Sequence, residues 1–444
     1  MKLMRFAHLS DSHLGHKQFG ILQRETDFYD VFAKNIDKII ENDVDFVIHS
    51  GDLFDNNRPP AEAIIAFQDA LMRFNEAKIP IYAIAGNHDS ILREGSMPPQ
   101  VIFKRLGLKL ISPDNPAYLE GPVLICGIPY TASINSHALI EKYNKLSQYA
   151  DKYLKSILVS HQGIDKWMHE HSYEVELDQM PKNFDYYAMG HIHNYIEQDF
   201  GKGKLVFPGS MELMRTSEVN ANYREFGKGF VVVDLSDDKP QVERVKIDLP
   251  REFINAVIKY DEFYECLPRL KTKLQSYEKK PMLELSVVGG DFNSADIYEN
   301  IKNTLKEDVL VLRPRFMPDS NDDSPDGSDE GEGPLDPKAA LQNKVNQKYG
   351  EDVGVLAGKL LDELSIGNVE DAKIISDVFY KEHYYDLEED SESNLNSFNE
   401  EKAESDINQR ESESFNSDNN LDDNLENSED KINQKSKQMS FDDF

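Results

Sequence analysis

The sequence has little cysteine, little tryptophan and no long apolar run. Its 444 residues include two cysteines and one tryptophan. Two thiols, Cys126 and Cys266, are too few for a disulfide framework and indicate a reducing compartment. No apolar stretch reaches the roughly 20 residues that a membrane helix needs, and the polar residues His8 and Asp11 come too early for a secretion signal. We therefore expect a soluble cytoplasmic protein.

Positive charge is also scarce, since the formal net charge is −32 at pH 7. Residues 319–337 carry −8 and residues 386–444 carry −14, so most of the surplus lies in these two segments. Their composition and lack of apolar periodicity predict an acidic flexible linker and a disordered acidic tail. The acidity therefore does not exclude a nucleic-acid substrate. No linear basic patch exists, but scattered bases such as Arg24 and Lys228 are available for phosphates.

Helices alternate with strands early in the chain, and strands dominate later. Apolar runs predict strands at 3–9, 45–49, 80–85, 108–112, 123–127, 156–160, 186–190, 204–207 and 228–235, and amphipathic patterns predict helices at 26–42, 60–77 and 96–106. This order favours an α/β fold of two packed sheets flanked by helices.

Two further segments follow this α/β region. Residues 250–318 read as a small α+β domain, with a strand at 283–287, a helix at 294–305 and a strand at 309–312. After the linker, short helices at 339–348, 353–364 and 369–383 are too small to build a core of their own. The segment 338–385 is therefore expected to dock on another protein.

Five polar clusters follow predicted strands. The central residue is Asp52, which ends the apolar run 46–48 in a turn through Gly51. The other clusters are Asp11 with His13, Asn87 with His88, His161, and His191 with His193. Because α/β proteins place their chemistry at the carboxyl ends of strands, these side chains are expected to meet.

The donor types in these clusters indicate a metal centre. Imidazole, carboxylate and amide oxygen together suit Mn²⁺, Fe²⁺ or Zn²⁺ better than Mg²⁺ or Ca²⁺, which prefer oxygen alone. The absence of cysteine from the set disfavours a structural zinc site. Two ions about 3.5–4 Å apart, bridged by one carboxylate, could clamp a phosphoryl group and activate water.

In this order the clusters resemble the five motifs of calcineurin-like metallophosphoesterases. Other motifs resemble one branch of that superfamily, the archaeal double-strand-break repair nuclease subunit of the meiotic-recombination-eleven or SbcD type. They are Asp11-Ser12-His13-Leu14-Gly15, Asp52-Leu53-Phe54 with Arg58-Pro59, Pro208-Gly209-Ser210 followed by Glu212 and Arg215, and Lys228-Gly229-Phe230. The resemblance covers residues 1–385 and is strongest before residue 235.

The resemblance implies a four-layer α-β-β-α sandwich at 1–249, with a DNA-capping domain at 250–318. It also implies two Mn²⁺ ions that share Asp52. The first ion would be held by Asp11, His13, Asp52 and His193, and the second by Asp52, Asn87, His161 and His191.

The resemblance gives His88 a role other than that of a ligand. His88 would contact the scissile phosphate and stabilise charge or protonate the leaving oxygen, with Asp89 to orient it. The sequence departs from the family at Asp55, where many relatives carry a second phosphate-facing histidine. We interpret Asp55 as a cap of the next helix, with a metal's water as the other possible partner. His16 is the best candidate for a histidine at the rim of the site.

The implied activity is a Mn²⁺-dependent DNA nuclease, acting as a 3′-to-5′ double-strand exonuclease and a single-strand endonuclease. It would process broken ends, associated with the nucleoid, together with a coiled-coil ATPase of the SbcC type that binds 338–385. The family's equivalents of helices 60–77 and 96–106 form a homodimer across a two-fold axis. The last residues, 438–444, resemble a sliding-clamp-binding box with Gln438, Phe441 and Phe444 at its main positions.

Two other functions stay open. The same five motifs serve phosphoesterases for small molecules or phosphoproteins, although such enzymes would not need 250–318 or 338–385. The other alternative is a scaffold whose main role is to tether DNA ends. Substitutions of Asp52 or His88 would then leave DNA bridging intact and cleavage unchanged.

Overall fold

The computed structural model describes residues 4–90, 97–168, 172–318, 338, 341–342, 345–346, 349–365, 372–373, 375–379 and 436–439. The chain divides into two units, one of Met1–Pro325 with Lys435–Phe444 and one of Asp326–Gln434. The predicted linker at 319–337 lies outside the described residues, as do the tail from 386 to 435 and its last five residues. Within the described ranges, no helix has the length and apolar character needed to cross a bilayer.

Strands and helices are numbered in chain order. The strands are β1 Arg5–Leu9, β2 Phe46–His49, β3 Ile81–Ala83, β4 Lys109–Leu110, β5 Ala117–Glu120, β6 Val123–Ile128, β7 Lys155–His161, β8 Tyr186–Gly190, β9 Ile196–Phe200, β10 Gly203–Phe207, β11 Lys228–Asp234, β12 Gln241–Ile247, β13 Phe253–Lys259, β14 Met282–Val288, β15 Val311–Met317 and β16 Ser436–Met439. The α-helices are α1 Leu22–Glu41, α2 Ala61–Ala77, α3 Ser136–Ala150, α4 Ala221–Phe226, α5 Phe263–Leu274, α6 Ser294–Leu305 and α7 Glu351–Ser365.

Two large sheets form the α/β region. The six-stranded sheet has the order β12-β11-β1-β2-β3-β4, and its four strands from β1 to β4 run parallel. The seven-stranded sheet has the order β16-β5-β6-β7-β8-β10-β9, with β6, β7, β8 and β10 parallel. Antiparallel pairs form both edges of the seven-stranded sheet and the β12 edge of the six-stranded sheet, whose other edge is the parallel strand β4.

The sheets pack face to face and helices cover their outer faces. Phe6 and Phe46 of the first sheet stack at 4.9 Å, and Tyr186 of the second sheet meets Phe6 edge-on. Helices α1 and α2 bury apolar side chains such as Phe32 and Phe67 on the six-stranded sheet. Helix α3 covers the seven-stranded sheet. The predicted four-layer α-β-β-α sandwich is confirmed.

Some elements differ from the sequence prediction. The segment expected to form a helix at 96–106 is a 3₁₀ helix over Pro99–Leu106. The backbone of Pro98 is extended, and Pro99 takes the first helical position, where proline fits a helix start. The strand expected at 108–112 is only β4. Helix α3 was missed, although its buried residues recur every three or four positions. The mainly polar edge strands β9 and β12 were missed because they have no apolar run.

Residues 253–317 form a small module of strands and helices where the pattern predicted one, but its class is α/β and not α+β, because its strands and helices alternate along the chain. Its sheet has the order β13-β14-β15 with all strands parallel, and α5 and α6 pack on one face. Arg251, just before β13, donates to Asp27 of α1 at 2.7 Å. Helix α7 belongs to the second unit and matches the helix predicted at 353–364. Parts of the helices predicted at 339–348 and 369–383 lie outside the described residues.

Candidate metal centre

The polar clusters meet because each follows a parallel strand at its carboxyl end. In the six-stranded sheet, Asp11 and His13 follow β1, Asp52 follows β2, and Asn87 follows β3. The loops after β1 and β2 continue the strand pairing, since the amides of Asp11 and His13 donate to Gly51 O and Asp52 O at 3.0 and 3.1 Å. This pairing fixes the first two loops side by side.

The seven-stranded sheet supplies the remaining side chains. His161 is the last residue of β7, and His191 and His193 follow the adjacent strand β8. The backbone N–H of His191 contacts both carboxylate oxygens of Asp11 at 3.2 Å, which joins the two sheets at this edge. All seven residues predicted as ligands therefore lie in one pocket.

The backbone in this pocket is strained. Among the described residues, seven non-glycine residues have a positive φ, and four of them belong to the predicted ligand set. They are Asp11 at 52°, His13 at 44°, Asp52 at 51° and His191 at 91°. Such conformations cost about 1–3 kcal/mol each and cluster at functional sites. The fold thus holds these residues in orientations that an unconstrained chain disfavours.

Two glycines make room for the ligands. Gly51 has φ of 102°, and a Cβ atom there would overlap the His161 ring. A Cβ atom at Gly86 would overlap the carboxylate of Asp52. Any side chain at either position would displace a predicted ligand.

The donor atoms fall into two groups that share Asp52. In the first, His13 Nε2 lies 3.2 Å from His193 Nε2 and 3.8 Å from Asp52 Oδ2, and His193 Nε2 lies 3.9 Å from Asp11 Oδ1. In the second, His161 Nε2 lies 3.3 Å from Asp52 Oδ2. The amide oxygen of Asn87 lies 3.1 Å from His161 Nε2 and 2.9 Å from His191 Nδ1. The division of these donors between two ions stays a prediction, since Asp11 also lies close to Asp52 and His161. His88 likewise lies close to His13 and Asp52.

Burial sets the protonation of the pocket. Burial lowers the pKa of His13 well below its usual value and that of His191 to about 3, and neighbouring histidines add to both shifts. Burial alone would raise the pKa of Asp52, but His161 and His88 outweigh it and lower that pKa well below its usual range. His13 and His191 are thus neutral and Asp52 is ionised, which are the forms that bind a metal. Burial alone would lower the pKa of His161, but Asp52 outweighs it and raises that pKa to about 10.

These residues fit divalent cations. Donor atoms of Asp11, His13 and His193 lie within 4.8 Å of one another, as do those of Asp11, Asp52 and His161. Several of these atoms carry lone pairs and lie close together, so a cation between them would stabilise the arrangement. The side chains of His13, Asp52 and His161 are at most 2% exposed, so the pocket is shielded from water on that side.

His88 lies at the open side of the same pocket. Its Nε2 is 3.9 Å from Asp52 Oδ2, its Nδ1 is 2.9 Å from the carbonyl oxygen of Asp55, and its side chain is 13% exposed. The role expected of Asp89, to orient His88, stays a prediction. The Asp89 carboxylate accepts from the amides of Gly86 and Leu53 at 2.7 and 2.8 Å, so it fixes the loops that carry His88 and the predicted ligands.

The capping role expected of Asp55 is also wrong. Helix α2 begins six residues later behind Pro60, without a side-chain cap. Asp55 Oδ1 lies 2.7 Å from His16 Nδ1, so the two side chains form a pair beside His13 at the rim of the pocket. His16 is partly exposed, as a rim residue should be.

Two bases predicted to be available for phosphates are buried. Arg24 is 0% exposed and donates to Asp27 and Gln18. Lys228 is 3% exposed and donates to Glu218 at 2.6 Å. Isolated basic residues carry no signal of burial in a sequence, because their partners lie far away along the chain.

Sequence reasoning also missed two residues at the site. Glu218 Oε1 lies 2.9 Å from His193 Nδ1. The ring of Tyr130 stacks on His191 with centroids 6.2 Å apart. Neither residue belongs to a spacing pattern. The one signal for Glu218 in the sequence is that it follows the loop motif Pro208-Gly209-Ser210 closely along the chain.

Comparison with known proteins agrees with the motifs. Residues 4–195 match the family model of the calcineurin-like phosphoesterases. The DNA double-strand break repair protein Mre11 of Thermoplasma acidophilum is 34% identical over 319 residues, which cover 70% of this chain and 83% of that protein. The proteins of the same name from Methanocaldococcus jannaschii and Saccharolobus solfataricus are 34% and 30% identical; the alignments cover 73% and 85% of this chain and 86% and 98% of theirs.

Proposed function

The chain belongs to the family of archaeal DNA double-strand break repair proteins Mre11, which are metal-dependent phosphodiesterases, and we propose that it is a Mn²⁺-dependent nuclease that processes broken DNA ends. The observation that carries this proposal is the convergence of seven side chains with N and O donors, from the carboxyl ends of five strands in two sheets, in one largely buried pocket. The family membership supplies DNA as the substrate class.

The proposed first ion is held by Asp11, His13, Asp52 and His193, and the second by Asp52, Asn87, His161 and His191. When bound, such ions supply positive charge for a phosphoryl group and a nucleophile at neutral pH. The mixture of imidazole, carboxylate and amide donors supports Mn²⁺ over Mg²⁺.

His88 is the proposed catalytic residue of the protein itself. Its Nδ1 donates to the carbonyl of Asp55, and this bond fixes the ring at the open side of the pocket. We propose that the ring acts as the imidazolium, so that Nε2–H, beside Asp52, contacts the scissile phosphate. It stabilises the charge of the phosphate or passes its proton to the leaving oxygen, which leaves a neutral ring with the hydrogen on Nδ1. His16, paired with Asp55, borders the same opening.

The module at 250–318 is the proposed DNA-capping domain. Its sheet face opposite α5 and α6 carries Arg313 and Arg315 on one strand and Lys259 on another. Arg313 lies 5.3 Å from the ring of Phe19, in the loop that follows the first metal-binding motif. These cations on one face of the sheet suit a phosphate backbone, although Glu284 pairs with Arg315 at 2.8 Å.

Cleavage assays test the proposed activity. End-labelled duplex and circular single-stranded DNA are incubated with Mn²⁺, Mg²⁺ or Zn²⁺, and both 3′-to-5′ degradation and circle opening are expected with Mn²⁺. Hydrolysis of a chromogenic phosphodiester without DNA cleavage would instead favour a small-molecule or phosphoprotein enzyme. DNA bridging by a protein that cuts neither substrate would favour a tethering scaffold.

A homodimer is proposed from apolar side chains that the fold leaves uncovered. Phe67 of α2 and Phe103 of the 3₁₀ helix are buried against each other, whereas Ile65 and Ile102 of the same elements are each 56% exposed. Exposed isoleucines on two adjacent helices are suited to burial against a second copy of the chain. In analytical ultracentrifugation, Ile65→Glu with Ile102→Glu should give monomers, while a glutamate at the distant exposed Ile134 should leave the dimer intact.

The segment 338–385 is proposed to bind a coiled-coil ATPase of the SbcC type. Within the part of this segment that the structure describes, helix α7 leaves Val355 46% exposed and Leu356 and Leu360 only partly buried. Such a helix gains burial by docking on a partner. Co-purification with the ATPase tests this, and Val355→Glu should weaken it.

A sliding clamp stays a proposed partner of residues 438–444. Gln438 and Met439 lie in β16, which pairs with β5 and forms the edge of the seven-stranded sheet, and residues 440–444 lie outside the described residues. Clamp binding would therefore have to displace this pairing. Titration of the clamp with a peptide of residues 436–444 tests the interaction, and no binding would refute it.

A further inference from the structure

Of the four histidines in the proposed ligand set, His193 has a distinctive support. The Nδ1 atom of His161 donates to the backbone carbonyl of Ser50 at 2.8 Å, whereas that of His191 faces the amide oxygen of Asn87, itself a proposed ligand. The buried Nδ1 of His13 makes no hydrogen bond in the described structure, and a carboxylate oxygen, Asp55 Oδ1, lies 3.7 Å away from it. His193 Nδ1 instead lies 2.9 Å from a carboxylate oxygen of Glu218.

This contact determines which nitrogen of His193 faces the pocket. A carboxylate accepts a proton from Nδ1, so the lone pair of the neutral ring is on Nε2. That atom lies 3.2 Å from His13 Nε2 and 3.9 Å from Asp11 Oδ1, among the other donors of the first group. The ring is thus presented in the tautomer that a metal requires.

Glu218 is itself held from the other side. Its second carboxylate oxygen accepts from Lys228 Nζ at 2.6 Å, and both side chains are buried, with 7% and 3% exposure. Lys228 also donates to the Ser210 hydroxyl at 2.6 Å and to the backbone oxygen of His193 at 3.1 Å. Lys228 therefore binds both the Glu218 carboxylate and the backbone of His193.

We propose that Glu218, held by Lys228, is a positioning residue for His193: it fixes the ring and its tautomer so that Nε2 binds the first metal ion. The carboxylate also makes the imidazole a stronger donor, and partners of this kind are typically worth about 10–100-fold in metal affinity. The inference deepens the proposed metal centre and rests on it. Glu218 does not touch the substrate in this role.

The test measures Mn²⁺ binding to metal-free protein by electron paramagnetic resonance, without DNA. Because Glu218→Gln alone leaves Lys228 buried without a counter-charge, the main variant is Glu218→Gln with Lys228→Met. Glu120→Gln is the matched control, since Glu120 is also 7% exposed and hydrogen-bonded, to Tyr82, away from the pocket. We expect one of two Mn²⁺ ions to bind about 10–100-fold more weakly in the double variant, with the other ion and the control unchanged.

Two results would overturn the proposal. Wild-type affinity for both ions in the double variant would show that His193 needs no such support. An equal loss at both ions would show that Glu218 supports the whole edge and not His193 in particular. Failure of the wild-type protein to bind two ions is a separate outcome, because it would refute the proposed two-ion centre itself.

Discussion

The two sheets contribute different chemistry to the pocket. The six-stranded sheet supplies both carboxylates of the proposed ligand set, Asp11 and Asp52, whereas the seven-stranded sheet supplies three imidazoles and no carboxylate. The negative charge that attracts a cation therefore comes from one sheet, and most of the nitrogen donors come from the other. Neither half resembles a complete site.

The difference shows why the sheet interface matters for function. The apolar inner faces of the two halves pack together, with Phe6 stacked on Phe46 and meeting Tyr186 of the other sheet. His8 joins the sheets within this interface, since its ring nitrogens bond to the Tyr186 hydroxyl at 2.9 Å and to the Ser50 hydroxyl at 2.8 Å. Metal affinity and folding stability are thus linked through the same contacts.

The largest effect is expected from the residue shared by both donor groups. Asp52→Asn removes the shared charge and should lower DNA cleavage by at least about 10³-fold and weaken both Mn²⁺ ions. Cleavage rate and Mn²⁺ stoichiometry are measured together. The control is Asp45→Asn, because the Asp45 carboxylate lies away from the pocket and accepts from the Arg5 amide. It should change neither the cleavage rate nor the Mn²⁺ stoichiometry. Retention of two tightly bound ions by Asp52→Asn would contradict the shared role.

The second prediction compares one donor from each sheet. Asp11→Asn and His191→Gln each remove one ligand, but only the first removes a negative charge. Coulomb attraction over 4 Å is worth about 4 kcal/mol at an effective dielectric constant of 20, so Mn²⁺ affinity should fall at least about tenfold further in Asp11→Asn. Titration calorimetry gives both affinities. Equal losses of Mn²⁺ affinity in the two variants would mean that the charge of Asp11 does not contribute more to binding than the neutral ligand His191.

The third prediction concerns the interface. Phe46→Ala leaves a cavity between the sheets and should lower the free energy of unfolding by about 3–5 kcal/mol, and it should also weaken Mn²⁺ binding because the two halves move apart. Phe263→Ala, in the core of the small module, is the control of equal chemistry. It should destabilise that module and leave Mn²⁺ affinity unchanged. Unaltered Mn²⁺ binding in Phe46→Ala would separate the site from the interface.

The smallest effect is expected from His8 and depends on pH. Burial, with contributions from His49 and Arg244, lowers the pKa of His8 from 6.5 to about 3. Below pH 6.5 the unfolded chain therefore binds a proton that the folded protein does not, so His8 destabilises the fold as the pH falls, by about 2 kcal/mol at pH 5.

Denaturant unfolding at pH 7 and pH 5 checks this prediction. His8→Gln should reduce the stability difference between the two pH values by about 2 kcal/mol. His137→Gln, at an exposed histidine of α3, should leave the difference as in the wild type. The same difference in His8→Gln and wild type would show that the proton is taken up elsewhere.

Much of this architecture was evident in the linear pattern. Apolar runs followed by Asp, Asn or His predicted the strands that carry the site, because a buried parallel strand needs continuous apolar residues and a polar end. The helices α1, α2 and α6 followed from their periodicity. The polar edge strands β9 and β12 and the 3₁₀ form of residues 99–106 did not, since these depend on neighbouring elements and not on local preference.

The sequence by itself determined the identity, the order and the spacing of the seven candidate ligands, because chemistry at the end of a strand leaves a local motif. Only the tertiary structure decided the partners. It placed Glu218 and Lys228 behind His193, paired Asp55 with His16, and turned Asp89 toward the loop amides. The physical reason is that a hydrogen bond acts over about 3 Å in space and is indifferent to distance along the chain, so it leaves no spacing to read.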